Sequence, residues 1–432
     1  MDYKIGVIVV FTLSYIGIIL FTRKKTFFAG GGAFLLCLLH FFLKGQGQGP
    51  GRTLGFILHA VNWNVLGIFL GTLLIAEAFI LSKVPALIAH GLVGSAKNTG
   101  GAVLLICIMT SILSAFVENV ATVLIIAPIA LEVADRQEVS PVPFLIGIAI
   151  SSNLQGTATL IGDPPSMILA GYMRMNFNDF FFMEGRPGIF FAVQIGALLS
   201  FIVLFFFYRS LTSSVVPGTR PSVESWFPTG VILCMILLLA VSSLIDPDFS
   251  YFGGAICMAL GTVCGVRTWL KERFGFRELT RRLDLDTIGF LASVFILVAS
   301  LQEAGIMGDI AAGVGAVLGS NVFVIYTFFV WFSVLISAFV DNVPYITAMI
   351  PVAKLIALNL SLPPYLFVFG ILIGACLGGN VTHVGASANV VAVSILKKRG
   401  YHIGLREFGR MGLPFTLAAT AGSYIFAWIF WR

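Results

Sequence analysis

Two nearly identical stretches decide the fold of this chain: SAFVENV at 114–120 and SAFVDNV at 337–343. Each places an acidic residue and an asparagine inside a long apolar segment, where an ionised carboxyl is costly. The stretches lie 223 residues apart, and the offset continues outward: between 114–166 and 337–389, 18 of 53 positions are identical without a gap. We therefore predict that the chain consists of two copies of one unit.

The composition places both copies in a membrane. Of 432 residues, 58% are hydrophobic and 11% charged, and the mean hydropathy is +0.99. A soluble domain needs more polar surface than this, and many apolar windows reach the roughly 20 residues that cross a bilayer. The opening MDYK runs directly into a full-length span, so no cleavable signal peptide is expected. The six cysteines lack CxxC spacing, which argues against a disulfide framework and a zinc site.

Each copy is predicted to contain five transmembrane spans and a re-entrant hairpin, with one of the spans broken. Because five crossings is an odd number, the second copy must be inserted upside down relative to the first. The predicted fold is an all-α polytopic membrane protein of two inverted repeats. Its predicted parts are repeat 1 at 1–209 (hairpin about 100–135, broken helix 142–173), a cytoplasmic linker at 210–226, and repeat 2 at 227–432 (hairpin about 319–357, broken helix 364–396).

The basic residues orient this arrangement. The runs at 23–25, 267–282 and 397–399 all fall on the cytoplasmic side if both termini are outside, as the positive-inside rule requires. The basic residues therefore mark span ends, and the net charge of +6 does not indicate a nucleic-acid partner. We predict an integral protein of a prokaryotic plasma (inner) membrane. Inverted repeats are typical of secondary transporters, which bind substrate where the repeats meet; the alternative is a duplication that only stabilises a bundle.

The first candidate site element is the hairpin tip, where Glu118 or Asp341 stands beside Asn119 or Asn342. Apolar sequence resumes on both sides, so the tip is predicted to be non-helical and to line a wet cavity. The asparagine amide and free carbonyls could then hold a cation or a polar solute. The alternative is that each acid only caps the second limb of its hairpin.

The second element is the break in a span: SSNLQGTATLIGDPPS at 151–166 and ACLGGNVTHVGASAN at 375–389. Glycines, prolines and small polar residues cannot continue a helix there, and the helix that resumes offers free N–H groups to an anionic or hydroxylic ligand. The alternative is a kink whose polar side chains bond to the backbone. The candidate ligands in the breaks are Asn153, Thr157, Thr159, Asp163, Asn380, Thr382, Ser387 and Asn389.

Charge limits the cargo. The windows 100–135, 142–173, 333–353 and 364–396 contain no Lys or Arg, and a site with fixed acids and no fixed cation favours a metal cation, a proton or a neutral polyol-like solute over a bare dianion. An anion could still bind at the helix N-termini together with a cation. Glu118, Asp341 and His383 are the candidates for proton coupling, although a lone histidine is as often a structural hydrogen-bond donor. No cofactor or resident metal is expected, only a proton or sodium as the coupling ion.

These motifs resemble the ion transporter superfamily. The resemblance rests on S-A-F-x-[ED]-N-V in both halves, G-x-x-T-x-x-G-D-P-P-S at 156–166 and G-G-N-x-T-x-x-G-A-S-A-N at 378–389. That superfamily includes arsenite permeases, D-type sodium/proton antiporters, the P protein and the divalent anion/sodium symporters. The stretch 385–414 is most similar to the arsenite permease and P protein branch. The resemblance implies an elevator-like transport domain on a scaffold that often dimerises.

The resulting hypothesis is a secondary transporter that exports arsenite or antimonite in exchange for protons. Its partners would be a small inorganic solute or ion, the lipid bilayer, a second copy of the chain and, for an arsenite exporter, a cytoplasmic ATPase subunit. Sodium/proton antiport and sodium-coupled transport of a dicarboxylate- or sulfate-type anion are the alternatives. A channel would need a continuous pore. An enzyme is not predicted because HExxH, GxSxG and GxGD motifs are missing from the sequence.

Overall fold

The computed structural model describes residues 3–21, 24–44, 50–215, 218–272 and 284–432. The described chain is almost entirely helical, with one two-stranded ribbon formed by β1 (Phe182–Met183) and β2 (Arg186–Pro187). Its helices are α1 Tyr3–Leu20, α2 Lys25–Leu43, α3 Pro50–Ala60, α4 Trp63–Leu81, α5 Val84–Ser95, α6 Thr99–Ser114, α7 Asn119–Arg136, α8 Val142–Gly156, α9 Pro164–Met173, α10 Ile189–Tyr208, α11 Phe227–Ser242, α12 Phe252–Glu272, α13 Leu285–Glu303, α14 Ile306–Leu318, α15 Val322–Ser337, α16 Asn342–Asn359, α17 Tyr365–Gly378, α18 Ser387–Lys398 and α19 Leu405–Trp431.

Seven of the described helices are long and apolar enough to cross a membrane: α1, α2, α4, α10, α12, α13 and α19. A further pair, α14 and α15, meets at 115° and counts as an eighth span if it is treated as one broken element. The prediction of an all-α polytopic membrane protein with broken helices is confirmed.

The helix bounds repeat with the offset of the opening motif. Hairpin helices α6 and α7 occupy 99–114 and 119–136, and α15 and α16 occupy 322–337 and 342–359. The caps repeat as well. Asn98 accepts a hydrogen bond from the Gly101 N–H at 2.8 Å to begin α6, and Asn321 accepts one from the Phe323 N–H at 3.0 Å to begin α15.

The helices form two groups. An outer group packs α1 against α2 and pairs the copies crosswise, α4 against α12 and α2 against α13. An inner group holds the two hairpins and the broken spans, with α9 against α16 and α18 against both α7 and α8. Reciprocal contacts of this kind are those of a pseudo-two-fold arrangement. The opposite insertion of the copies stays a prediction.

Part of the orientation argument lies outside the described residues. Arg23 and the stretch 273–282 of the second basic run belong to this part, as do residues 216 and 217 of the predicted linker. Lys24, Lys25 and the run at 397–399 are described.

Candidate functional site

Both hairpin tips are built by the acid that follows the first limb. The Glu118 carboxylate accepts a hydrogen bond from the Ala121 N–H at 2.9 Å and caps α7. The Asp341 carboxylate accepts one from the Val343 N–H at 3.1 Å and caps α16. Capping of the second limb by both acids is therefore observed, and it does not exclude binding. It leaves the second oxygen of each carboxylate for another partner.

Each broken span is held against its own hairpin by a threonine. Thr159 donates its hydroxyl to the Ala115 carbonyl, and Thr382 donates to the Ala338 carbonyl, one repeat offset away. These carbonyls lie at the C-terminal ends of the first limbs, where the helix offers them no further N–H donor. The two threonines thus fix the breaks to the tips.

Asn389 has a comparable role in the second break. Its side-chain N–H group donates to the Gly379 carbonyl at 2.9 Å and to the Thr382 carbonyl at 3.0 Å. At the matching position in the first copy, the Ser166 hydroxyl lies 3.4 Å from the Gly156 carbonyl and 3.3 Å from the Thr157 carbonyl. Polar side chains therefore satisfy backbone groups that the breaks leave without helical partners.

Three buried asparagines join the two copies at the centre. Asn153 donates to the Asn380 side-chain oxygen at 3.0 Å and to the Cys376 carbonyl at 2.8 Å. Its own oxygen accepts from the Asn119 amide at 3.3 Å, and Asn380 donates to the Ile150 carbonyl at 3.1 Å. Asn153 is thus the link between the first tip and the second break.

Replacing this link should cost stability. We expect Asn153→Ala to lower the free energy of unfolding by about 2–4 kcal/mol, because two buried acceptors and one buried donor lose this partner. Asn359→Ala, at the exposed end of α16, is the matched control and should be neutral. Thermal unfolding in detergent measures both. Equal melting temperatures for the two variants would show that the link carries no stability.

A small cavity of about 40 Å³ lies where the tips and breaks meet, with room for two or three waters. Seven predicted site residues line it: Glu118, Asn119, Asn153, Asp163, Asp341, Asn342 and Ser387. It continues into a wider pocket of about 340 Å³, which shares Lys25, Asp284, Asp341 and Ser387 with it. The remaining predicted residues do not line the cavity: Thr157, Thr159, Asn380, Thr382, His383 and Asn389.

Asp163 is the most exceptional side chain in the cavity. It immediately precedes α9, is 4% exposed, and its Oδ2 accepts no hydrogen bond from any residue that the structure describes. A buried acceptor without a donor is rare, and a buried carboxylate without one is costly. The Nδ1 of His383 is likewise buried without a partner among the described residues, and the ring lies in the second break beside Phe408, with ring centroids 6.4 Å apart.

Sequence reasoning missed a basic residue in the cavity. The Lys25 Nζ lies 2.6 Å from an Asp341 oxygen, and Asp284 lines the same space. The conclusion that the site contains no fixed cation is therefore wrong, because it considered only the hairpin and break windows. Lys25 belongs to a basic run that the sequence placed at a span end. Only its position as the first residue of an apolar helix could have indicated a deeper location.

Comparisons with known proteins agree with this architecture. The model of the CitMHS family, described as citrate transporter, matches residues 15–368. A 46 kDa membrane protein of Mycobacterium leprae is 29% identical over 383 residues, covering 85% of this chain and 86% of that protein. The mouse P protein is 24% identical over 396 residues, covering 73% of this chain and 47% of that protein.

A solved structure shares the fold. The Alcanivorax borkumensis YdaH transporter superposes with a TM-score of 0.61 at 15% sequence identity, covering 87% of this chain and 86% of that chain. At this identity the likeness concerns the fold alone.

Proposed function

The chain belongs to the CitMHS family, described as citrate transporter, and we propose that it exports arsenite or antimonite in exchange for protons by an elevator-like movement. The resemblance to the ion transporter superfamily is confirmed by the family match and by the P protein relatives. The protein is accordingly an integral membrane protein and a secondary transporter of this type. Its substrate and coupling ion are what we propose.

One observation carries the proposal: Asp163, whose buried Oδ2 has no donor among the described residues, lines the same cavity as Glu118. Two acids that share a small buried space are stable together only if a proton or a cation reduces their charge. Acids inside a membrane protein that face a cavity commonly serve such exchange. We therefore assign the exchangeable proton to Glu118 and Asp163, and Asp341 contributes the carboxyl group of the second copy to the same site.

The cavity limits the size and chemistry of the cargo. Space for two or three waters suits a small solute, and the asparagines and acids around it offer hydrogen bonds to hydroxyl groups. Arsenite is a small neutral trihydroxide at physiological pH, so it needs no fixed counter-charge. Thr159, Thr382 and Asn389 lie outside the lining and support the tips and breaks that shape the cavity.

Two alternatives follow from specific observations. Sodium/proton antiport fits the same acids, since a bare sodium ion could replace the proton there. Sodium-coupled uptake of a di- or tricarboxylate fits the family description and the presence of Lys25, and such an anion would extend from the small cavity into the wider pocket of about 340 Å³. We rank the anion last because, among the described residues that line the cavity, acidic side chains outnumber the one ammonium.

Flux into proteoliposomes tests the proposal. An imposed pH gradient should drive arsenite against its own gradient, and a pH-sensitive dye should report protons moving the opposite way. Protein-free vesicles are the control. Sodium-dependent proton movement without arsenite flux would instead identify a sodium/proton antiporter, and sodium-driven citrate accumulation would identify an anion symporter.

The cellular setting is proposed on the same basis. We place the chain in a prokaryotic plasma membrane with both termini outside, as a homodimer, with a cytoplasmic ATPase subunit as the partner if arsenite is the cargo. The basic runs support the orientation. Labelling of single cysteines placed at residue 3 and residue 432 by a membrane-impermeant reagent tests it in intact cells.

A further inference from the structure

The Lys25–Asp341 pair joins the outer helix group to the second hairpin tip. The Lys25 Nζ lies 2.6 Å from the Asp341 Oδ2 and 4.6 Å from the centroid of the Phe290 ring. The two side chains are 19% and 24% exposed, far less than a surface pair. Such a pair is held tightly, because losing either partner leaves a poorly solvated charge.

The other tip has a different environment. The residue one repeat offset beyond Lys25 is Asp248, which is acidic and exposed, so the duplication supplied only one lysine. Among the described residues, Lys25 is the single basic side chain that lines the cavity. The two acidic half-sites therefore differ. Asp341 has a basic partner, whereas Glu118 and Asp163 have none among the described residues that line the cavity.

We propose that the Lys25 ammonium is a built-in substitute for a bound cation at the Asp341 half of the transport site. Only the Glu118–Asp163 half then takes an exchangeable proton or cation in each cycle. This inference rests on the proposed function in one respect, that Asp341 belongs to the transport site. It assigns to Lys25 a role in setting how many cations the carrier needs.

The acidic groups around Lys25 explain why its ammonium can take the place of a bound cation. From the second hairpin it faces Asp341, and from the start of α13 it faces Asp284 and Asp286. Glu118 and Asp163 are deeper in the same cavity. One ammonium thus faces several carboxyl groups, and its removal leaves an excess of negative charge that only protons or cations can offset.

Replacing Lys25 tests the inference without any transport assay. In the full-length purified protein, Lys25→Met should create a cation requirement at Asp341. Its melting temperature at pH 8 in choline chloride should be lower than that of the wild type. It should rise by about 3 °C in sodium chloride at about a hundred times the dissociation constant, or on acidification. The wild type should show a smaller response to both.

Two variants complete the test. Lys25→Met combined with Asp341→Asn removes both charges but keeps Glu118 and Asp163, so its melting temperature should respond to sodium and to acid no more than that of the wild type. Lys4→Met breaks an ion pair of the same 2.6 Å length with Asp309, but on the surface, and should respond to cations as the wild type does. A Lys25→Met protein that neither sodium nor acid stabilises beyond the wild-type response would overturn the inference. Because no flux is measured, this result is independent of which substrate is carried.

Discussion

Proton-driven flux should disappear in a Glu118→Gln variant that still folds. Glutamine keeps a side-chain oxygen that can accept the Ala121 N–H bond, so the cap of α7 remains. It nearly keeps the side-chain volume as well. What it loses is the ability to bind and release a proton, which the proposed exchange requires at the buried tip. Arsenite flux driven by a pH gradient in proteoliposomes should fall to the level of protein-free vesicles.

The matched control lies on the same helix. Glu132 is about half exposed and pairs with Arg136 at 3.0 Å, one helical turn further on. Glu132→Gln should transport like the wild type, because an exposed pair of this kind contributes little. A Glu118→Gln variant with wild-type flux and an unchanged pH dependence would remove Glu118 from the coupling mechanism, leaving Asp163→Asn as the next substitution to measure.

The parts of the fold that the sequence could predict are those set by local pattern. Hydrophobic length locates the spans, and the acid-asparagine motif marks both tips because charge in an apolar segment has few structural uses. Because the copies are offset by 223 residues, each element predicted in one copy is also predicted at the matching position of the other. Even the caps at Asn98 and Asn321 repeat, since an N-cap depends only on its own helix.

Contacts between distant segments could not be predicted in this way. Lys25 meets Asp341 across 316 positions because α2 packs against α13 and so faces the second hairpin. Asn153 meets Asn380 across 227 positions for a similar reason. A single sequence does not reveal such packing, so the neighbours of Lys25 in the sequence indicate only a basic loop.

The roles of polar residues within the breaks were ambiguous for a different reason. A broken helix needs polar side chains to bind a ligand, and it equally needs them to satisfy the backbone groups that the break frees. Thr159, Thr382 and Asn389 do the second of these, and Asp163 is available for the first. Composition is the same in both cases. Only the direction in which each side chain points shows whether it can bind a solute or instead bonds to the backbone.

The same breaks depend on glycines that let two backbones touch. A Cβ added at Gly162 would lie 2.5 Å from the Gly156 carbonyl oxygen and 2.9 Å from the Ser114 carbonyl oxygen. In the second copy, a Cβ at Gly385 would lie 2.6 Å from the Gly379 oxygen and 2.8 Å from the Ser337 oxygen. Backbone atoms cannot rotate away as side chains do, so both positions require glycine.

Gly162→Ala should therefore lower the free energy of unfolding by about 3 kcal/mol or more, the upper range for overpacking, and Gly385→Ala should do the same. Gly313→Ala is the control, since a Cβ there meets nothing within 4 Å in the middle of α14. It should be neutral or stabilising by about 0.5–1 kcal/mol. Melting temperatures of the purified variants measure all three. If Gly162→Ala melts like Gly313→Ala, the two limbs of the break do not touch as described. The close backbone contact at Gly162 would then not be what keeps Asp163 near Glu118 in the cavity.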